Sequence, residues 1–235
     1  YLYMKNKKEI NAGIIIIGNE VLSGRTKDLN SSTLSVWLNS LGIIVNEVRI
    51  IPDIENTIIC TVNELRKKYD YVFTTGGIGP THDDITSESI ADAFGIELEI
   101  NKEAYNILSN YYKKIGTNFN EVRQRMAKIP SGAKLIKNQI SAAPGFKIEN
   151  VFVLAGVPKI MESMLNEAIE YMEPKEKAIN IRLKVMAPEV VFIKYPAPAA
   201  PDTGESPVTF TACQDVPPAS NSSQLKTPPV VDFKT

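Results

Sequence analysis

The sequence predicts an α/β fold with three layers, a mostly parallel sheet carrying helices on both faces, followed by a proline-rich C-terminal tail. Short apolar, β-branched runs alternate with amphipathic helical segments three times between residues 12 and 94. The first run contains four consecutive isoleucines, which is typical of a central strand buried on both faces and therefore of a parallel sheet. The alternation of strand and helix supplies the crossovers that parallel pairing requires.

The first half of the chain supplies three strands and three helices. We predict strands at 12–17, 43–51 and 71–75. The first helix begins at Asn30 and ends at Gly42, with Leu34, Leu38 and Leu41 on its apolar stripe. The second helix opens with Asp53 as its N-cap, and the third is capped by Thr86 and runs over 87–94.

The second half is predicted from shorter signals. Helices are expected at 102–115 and 121–128, a turn at 130–132, and strands at 134–137, 145–148 and 151–154. A two-residue connection at 149–150 joins the last two strands into a hairpin. Pro158 suits the first turn of a final helix.

Composition divides the chain into a leader at 1–11, a domain at 12–174, one more strand within 175–195 and a tail at 196–235. The tail holds eight of the 15 prolines and is rich in Ser, Thr and Ala, which predicts disordered or irregular structure.

Charge and cysteine content exclude several classes of function. With 26 basic and 27 acidic residues, the net charge of −1 gives no case for nucleic acid or anionic membrane as partner. The isoleucine run is far too short to cross a bilayer, and nothing resembles a signal peptide. Cys60 and Cys213 lie far apart and form no disulfide framework, so a cytoplasmic location is expected.

The stretch 71–88 concentrates the residues that suggest chemistry. After the strand ending at Thr75, the chain breaks on Gly76-Gly77-Ile78-Gly79-Pro80 and continues to adjacent carboxylates at Asp83 and Asp84. Glycines let backbone amides approach an anion closely. Two carboxylates repel a phosphate unless a divalent cation stands between them, so we expect a phosphate-bearing ligand with Mg²⁺, or with Mn²⁺ or Co²⁺ instead. A plain tight turn and an acid cluster at a helix N-terminus are the alternatives.

Other residues near this stretch support weaker hypotheses. The loop 18–28 follows the first strand, and ligands of parallel sheets bind beyond the carboxyl ends of strands, so the two loops are expected to share one crevice. His82, the one histidine, has no second His or Cys to support a transition-metal site. Arg123 and Arg125 are either phosphate contacts or part of a solvated helix face.

Four motifs in this order resemble the molybdopterin-binding (MoaB/Mog-like) domain family, and most of all its CinA-like and FAD synthase-like branch. The motifs are TGGIGPTHDDIT at 75–86, GNEVLSG at 18–24 followed by DLN at 28–30, APGF at 143–146, and VLAGVP at 153–158. The resemblance covers roughly 12–172. It implies an α/β domain that binds a nucleotide or pterin ligand with a divalent ion, and often a homo-oligomer.

The resemblance also assigns roles to residues. Asp84 and Asp28 match the essential acids of the family, Glu20 matches an acid of the CinA branch, and all three are candidates for catalysis. Asp83 stands where the transferase branch has Arg, which favours the CinA branch. The metal is expected on Asp84 with Asp83 or Asp28, and the general base is either Asp28 or Glu20. The expected ligand-binding positions are Gly18, Asn19, Asn30, Thr75, Gly76, Gly77, Gly79, Pro80, Thr81, Gly156 and Pro158.

These roles lead to three hypotheses about function. The first is a metal-dependent pyrophosphatase acting on nucleotides of the ADP-ribose or FAD type. The second is a nucleotide- or pterin-binding module without turnover, and the third is a molybdopterin adenylyltransferase.

Overall fold

A computed structural model describes residues 9–172 of the chain. The strands are β1 (Asn11–Ile17), β2 (Ile44–Ile51), β3 (Tyr71–Thr75), β4 (Leu98–Ile100), β5 (Lys128–Pro130), β6 (Lys134–Ile136), β7 (Gly145–Ile148) and β8 (Val151–Leu154). The α-helices are α1 (Asn19–Leu22), α2 (Asn30–Ser40), α3 (Glu55–Lys68), α4 (Thr86–Phe94), α5 (Lys102–Lys114), α6 (Glu121–Gln124) and α7 (Pro158–Ala168). Short 3₁₀ turns span Arg125–Ala127 and Ile169–Tyr171.

The main sheet has six strands in the order β2-β1-β3-β8-β7-β6. The pairs from β2 to β8 are parallel, and β7 and β6 complete the sheet as antiparallel strands. A separate antiparallel pair, β4 with β5, forms a small second sheet. This confirms the predicted mostly parallel α/β sheet.

Two hydrophobic clusters cover the two faces of the sheet, which gives the three predicted layers. Ile15 and Ile17 of β1 belong to the cluster that contains the buried faces of α3, α4 and α5. Ile14 and Ile16 belong to the cluster that contains those of α2 and α7. Because successive side chains of a strand point to opposite faces, the isoleucine run feeds both cores, as its composition predicted.

Three local predictions were wrong. Asp53 does not cap α3: the residue before that helix is Ile54, and the Asp53 carboxylate accepts from the Asn19 amide instead. Thr86 is the first residue of α4 and its buried hydroxyl has no partner among the described residues. The segment 121–128 is not one helix, because α6 passes into a 3₁₀ turn and then into β5.

Three short elements had no counterpart in the sequence prediction: α1, β4 and β5. Each has three or four residues, too few to show a period. The predicted strand within 175–195, the tail at 196–235 and residues 1–8 of the leader lie outside the described residues.

Candidate functional site

The carboxyl ends of β2, β1, β3 and β8 lie at one edge of the sheet, because these four strands are neighbours and parallel. The loops that leave this edge are 18–29, 52–54, 76–85 and 155–157. They contain nearly all the predicted site residues. Strand order therefore brings these four loops to one edge, where the ligand crevice is expected in open parallel sheets.

Asn30 joins three of these segments. Its side-chain amide donates to Thr75 Oγ1 over 3.2 Å and to the carbonyl oxygen of Gly156 over 2.7 Å. Asn30 and Thr75 are both buried, so loss of either bond would leave an unpaired polar group. Three predicted ligand-binding positions thus form the internal frame of the site, and the Oδ1 atom of Asn30 is buried without a partner in the described structure.

The start of the glycine loop is held in close contact with β1 and β8. Gly76 has φ 106° and Gly77 has φ 67°, in the region that favours glycine. A Cβ on Gly76 would lie 2.1 Å from the carbonyl oxygen of Ile17, and the Gly76 amide donates to Leu154 over 3.2 Å. A Cβ on Gly156 would lie 3.1 Å from the Gly76 Cα.

The next three amides of the loop have no acceptor within the described residues. No hydrogen bond is donated by the backbone N–H groups of Gly77, Ile78 or Gly79 to any part of 9–172. The following part of the loop is braced from inside: Thr81 donates from its amide and hydroxyl to Asp84 Oδ2, over 2.8 and 2.5 Å. Consecutive amides left open beside a braced turn are suited to an anionic ligand.

Three carboxylates interact electrostatically around the loop. Burial raises the pKa of Asp53 above its ordinary value, the hydrogen bond from the Asn19 amide opposes this, and the charges of Glu20 and Asp84 raise the pKa further. Glu20 stands in α1, and its carboxylate occupies the space next to Gly18 where a Cβ would lie. The Asp84 carboxylate packs in the same way over Gly79. Glu20 and Asp84, two predicted site acids, thus lie close enough to Asp53 to raise its pKa.

Asp28 has a structural partner at the start of α2. Its Oδ1 atom accepts from the amides of Asn30 and Ser31, over 2.9 and 3.1 Å. These bonds fix the first turn of α2 and hence the position of Asn30. Asp28 thus supports the frame of the site, and its predicted role as metal ligand or base stays a prediction.

Asp83 and His82 are exposed and pair with each other. His82 Nε2 lies 2.8 Å from Asp83 Oδ1, and their side chains are 89% and 74% exposed. Within the described residues, no hydrogen bond or ion pair joins either side chain to the Gly76–Gly79 segment or to the other acids. Of the two adjacent carboxylates predicted as metal ligands, Asp84 is the one bound into the loop.

The donor set fits a hard cation in part. The carboxylates of Glu20, Asp53 and Asp84 offer oxygen atoms only, which suits Mg²⁺ better than a transition metal. No group of three or more His, Cys, Asp or Glu side chains within 9–172 is arranged to hold one ion. Mg²⁺ commonly binds one or two carboxylates and completes its shell with water and substrate phosphate, so an ion at this site would need the ligand to complete its coordination.

The fold is an α/β domain whose candidate site residues lie at the carboxyl ends of its parallel strands. No helix within the described residues is long and apolar enough to cross a membrane. Residues 13–174 match the sequence model of the family described as probable molybdopterin binding domain. The chain belongs to this molybdopterin-binding domain family.

Individual archaeal proteins are also similar in sequence to this chain. A protein of Sulfolobus acidocaldarius is 41% identical over 165 residues, which cover 68% of this chain and 62% of the relative. A protein of Archaeoglobus fulgidus is 40% identical over 163 residues, with 69% of each chain covered. The match therefore spans less than two thirds of the length of the Sulfolobus relative.

The structural comparison points in the same direction. The crystal structure of CinA, a protein of unknown function from Thermoplasma acidophilum, has a TM-score of 0.62 with 34% identity. The match covers 68% of this chain and 96% of that chain. Likeness to the CinA branch, expected from the motifs, is thus confirmed.

Two residues of the site were not identified from the sequence. Asp53 follows β2, a neighbour of β1 in the parallel sheet, so the rule that located the other loops also applied to it. Arg125 was left between a phosphate contact and a solvated face. Its guanidinium donates to the Thr81 carbonyl, a contact across 44 positions that no local pattern indicates.

Proposed function

We propose that the crevice binds a nucleotide- or pterin-type ligand through its phosphates and hydrolyses a nucleoside diphosphate linkage with a divalent cation. The observation that carries this proposal is that the amides of Gly77–Gly79 have no acceptor within the described residues, while the Asp84 carboxylate packs against Gly79. The family assignment supports a pterin as one ligand class.

The open amides are the anion-binding part of the site. Three consecutive N–H groups without internal acceptors stabilise negative charge on phosphoryl oxygens, and they need no rearrangement to do so. The left-handed conformation of Gly77 directs the chain into this arrangement. The absence of a Cβ at Gly79 leaves room for the Asp84 carboxylate beside it.

The carboxylates are the cation-binding part. Thr81 donates two hydrogen bonds to the Oδ2 atom of Asp84. The Oδ1 atom of Asp84 accepts no hydrogen bond within the described residues. When bound, a divalent cation would neutralise phosphate charge and lower the pKa of a water ligand. Asp53 is suited to accept a proton at the site, since burial and its two acidic neighbours raise its pKa. Glu20 and Asp28 remain the predicted alternatives for the base.

A binding module without turnover is the second candidate. It is favoured by the lack of a three-acid group within reach of one ion in the described region. Such a module would use the same open amides and would bind the nucleotide without cleaving it. Adenylyl transfer to a pterin, the third hypothesis, needs the same phosphate contacts and is decided by the products formed.

One experiment separates these candidates. ADP-ribose and FAD are incubated with the purified chain and Mg²⁺, Mn²⁺ or Co²⁺, products are followed by chromatography, and affinities by calorimetry. We expect wild type to release AMP, and Asp84→Ala to lower the rate by roughly 10²-fold or more because a charged group at the reaction centre is lost. Asp92→Asn, an exposed carboxylate on α4, serves as the matched control.

The other outcomes are equally clear. Binding that is weakened by Asp84→Ala without turnover on any metal would favour the module. Transfer of AMP from ATP to a pterin phosphate without cleavage of ADP-ribose would favour the transferase. Equal activity of wild type and Asp84→Ala would remove the proposed role of the acid loop, the turn 81–84 that carries Asp84.

A further inference from the structure

We propose that Arg125 is a positioning residue that holds the acid loop, and through it the carboxylate of Asp84; its relevance to catalysis rests on the proposed function. Arg125 opens the 3₁₀ turn that links α6 to β5, so it belongs to the part of the chain around the small sheet. Its Nη1 atom donates to the carbonyl oxygen of Thr81 over 3.2 Å.

Thr81 relays this contact to Asp84. Its amide and hydroxyl both donate to Asp84 Oδ2, and its carbonyl oxygen accepts from the Asp84 amide over 3.3 Å as well as from Arg125. Hydrogen bonds between Thr81 and Asp84 therefore close the turn 81–84. The Arg125 guanidinium links this turn to the 3₁₀ turn at Arg125–Ala127. A charge-assisted bond to an otherwise exposed turn restricts the orientations open to the carboxylate.

The base of the Arg125 side chain is firmly anchored. The next two residues, Met126 and Ala127, lie in the hydrophobic cluster, and the Ala127 carbonyl accepts from the Asn101 amide over 2.8 Å. The guanidinium thus extends from a fixed point to a loop that has few other tertiary bonds. Nη2 also lies 3.8 Å from Glu88 in the first turn of α4, a longer contact that adds little.

The space between these groups is small. Arg125, Gly79, Asp84 and Glu88 line a hollow of about 20 Å³, enough for about one water molecule. The Arg125 guanidinium is thus already engaged with the Thr81 carbonyl at the edge of this hollow. The contact is therefore suited to fixing the loop and not to binding the substrate directly.

Arg123 provides a matched comparison on the same short segment. Its guanidinium lies over the Tyr112 ring, 4.9 Å from the centroid, and donates to the Asn118 carbonyl. Both contacts stay within the region around α5 and α6. The two arginines, indistinguishable by sequence, thus differ in that only Arg125 reaches the glycine loop in the described structure.

The test compares Arg125→Met and Arg125→Lys with Arg123→Met by amide hydrogen exchange measured residue by residue in NMR. We expect Arg125→Met to raise exchange of the Thr81 and Asp84 amides roughly three- to tenfold, as loss of one hydrogen bond implies. Arg125→Lys keeps one donor and should give intermediate exchange. Arg123→Met should leave both amides at wild-type rates.

A second readout links the loop to function. The affinity for ADP-ribose with Mg²⁺ should fall in Arg125→Met by a similar factor and recover in part in Arg125→Lys. If wild type binds no nucleotide, the proposed function fails, whereas the exchange data still decide the role of Arg125. Wild-type exchange at Thr81 in Arg125→Met, or equal increases in Arg123→Met, would overturn the proposal; Arg125→Gln replaces Arg125→Met if the latter does not fold.

Discussion

The structure leaves no room for a side chain at Gly76, and Gly76→Ala tests this requirement. A Cβ at this position would lie 2.1 Å from the Ile17 carbonyl oxygen. This is about 1 Å shorter than a van der Waals contact between these atoms. The neighbouring atom is backbone of the central strand and cannot rotate away. The φ of 106° adds strain for any residue with a side chain.

The size of the effect follows from these two terms. Backbone strain of this kind costs about 1–3 kcal/mol, and forcing atoms into a packed site costs about the same again. We expect Gly76→Ala to reduce the free energy of unfolding by about 3–5 kcal/mol. For a domain of this size that corresponds to a fall in melting temperature of roughly 6–20 °C.

The assay is thermal and urea unfolding followed by circular dichroism, with Gly132→Ala as the control. Gly132 also has positive φ, at 77°, but a Cβ there meets nothing within 4 Å. Gly132→Ala should therefore reduce the free energy of unfolding by about 1 kcal/mol or less. Only backbone strain applies there, and alanine also restricts the unfolded chain. Equal losses for the two variants would refute the close approach of the glycine loop to β1.

Two further predictions concern the frame of the site and the outer side of the sheet. Asn30→Ala should reduce the free energy of unfolding, measured in urea, by about 2–3 kcal/mol, because it leaves the Gly156 carbonyl and Thr75 hydroxyl unpaired. In Glu47, burial raises the pKa, but hydrogen bonds from Lys68, Tyr69 and Arg49 outweigh it and lower the pKa from 4.5 to about 2. A folded pKa below the unfolded one means stabilisation that is complete above pH 4.5 and disappears as pH falls towards 2. The melting temperature of Glu47→Gln should thus lie below that of wild type at pH 7, by a difference worth about 1–2 kcal/mol, and converge with it near pH 2.

Matched variants control both measurements. Asn39→Ala lies on the exposed side of α2 and should change stability by no more than about 0.5 kcal/mol. Glu99→Gln removes an exposed carboxylate from β4 and should keep the wild-type pH dependence. A loss in Asn39→Ala as large as in Asn30→Ala, or a stability gap for Glu47→Gln that persists at pH 2, would contradict the respective reasoning.

Sequence patterns were sufficient for the main sheet because its signals are long and tied to burial. The isoleucines of β1 and the apolar stripe of α3 had to face cores wherever the chain went, so periodicity located them. The same patterns placed the glycine loop at the carboxyl end of β3, and strand order then placed the other loops beside it.

The errors arose where a tertiary partner decided the role of a side chain. Asp53 has the residue type of an N-cap, but the Asn19 amide from a neighbouring loop bonds its carboxylate. Asp28 shows a related ambiguity: its Oδ1 accepts from the first amides of α2, while its predicted role in chemistry stays a prediction. Either carboxylate satisfies both patterns locally, and only the arrangement of the loops distinguishes them.

The isoleucine run of β1 has a consequence for folding. Shifting this strand by one position would exchange Ile14 and Ile16 for Ile15 and Ile17 with no change in hydrophobicity. The isoleucines therefore cannot define the correct alignment. The ends of the strand must do so. Asn11 and Asp70 exchange two backbone-to-side-chain bonds of 3.0 Å each, and a Cβ at position 13 would press on the Tyr69 ring at 2.7 Å. The two bonds between Asn11 and Asp70, and the absence of a side chain at Gly13, thus favour one alignment of β1, which the four isoleucines alone do not specify.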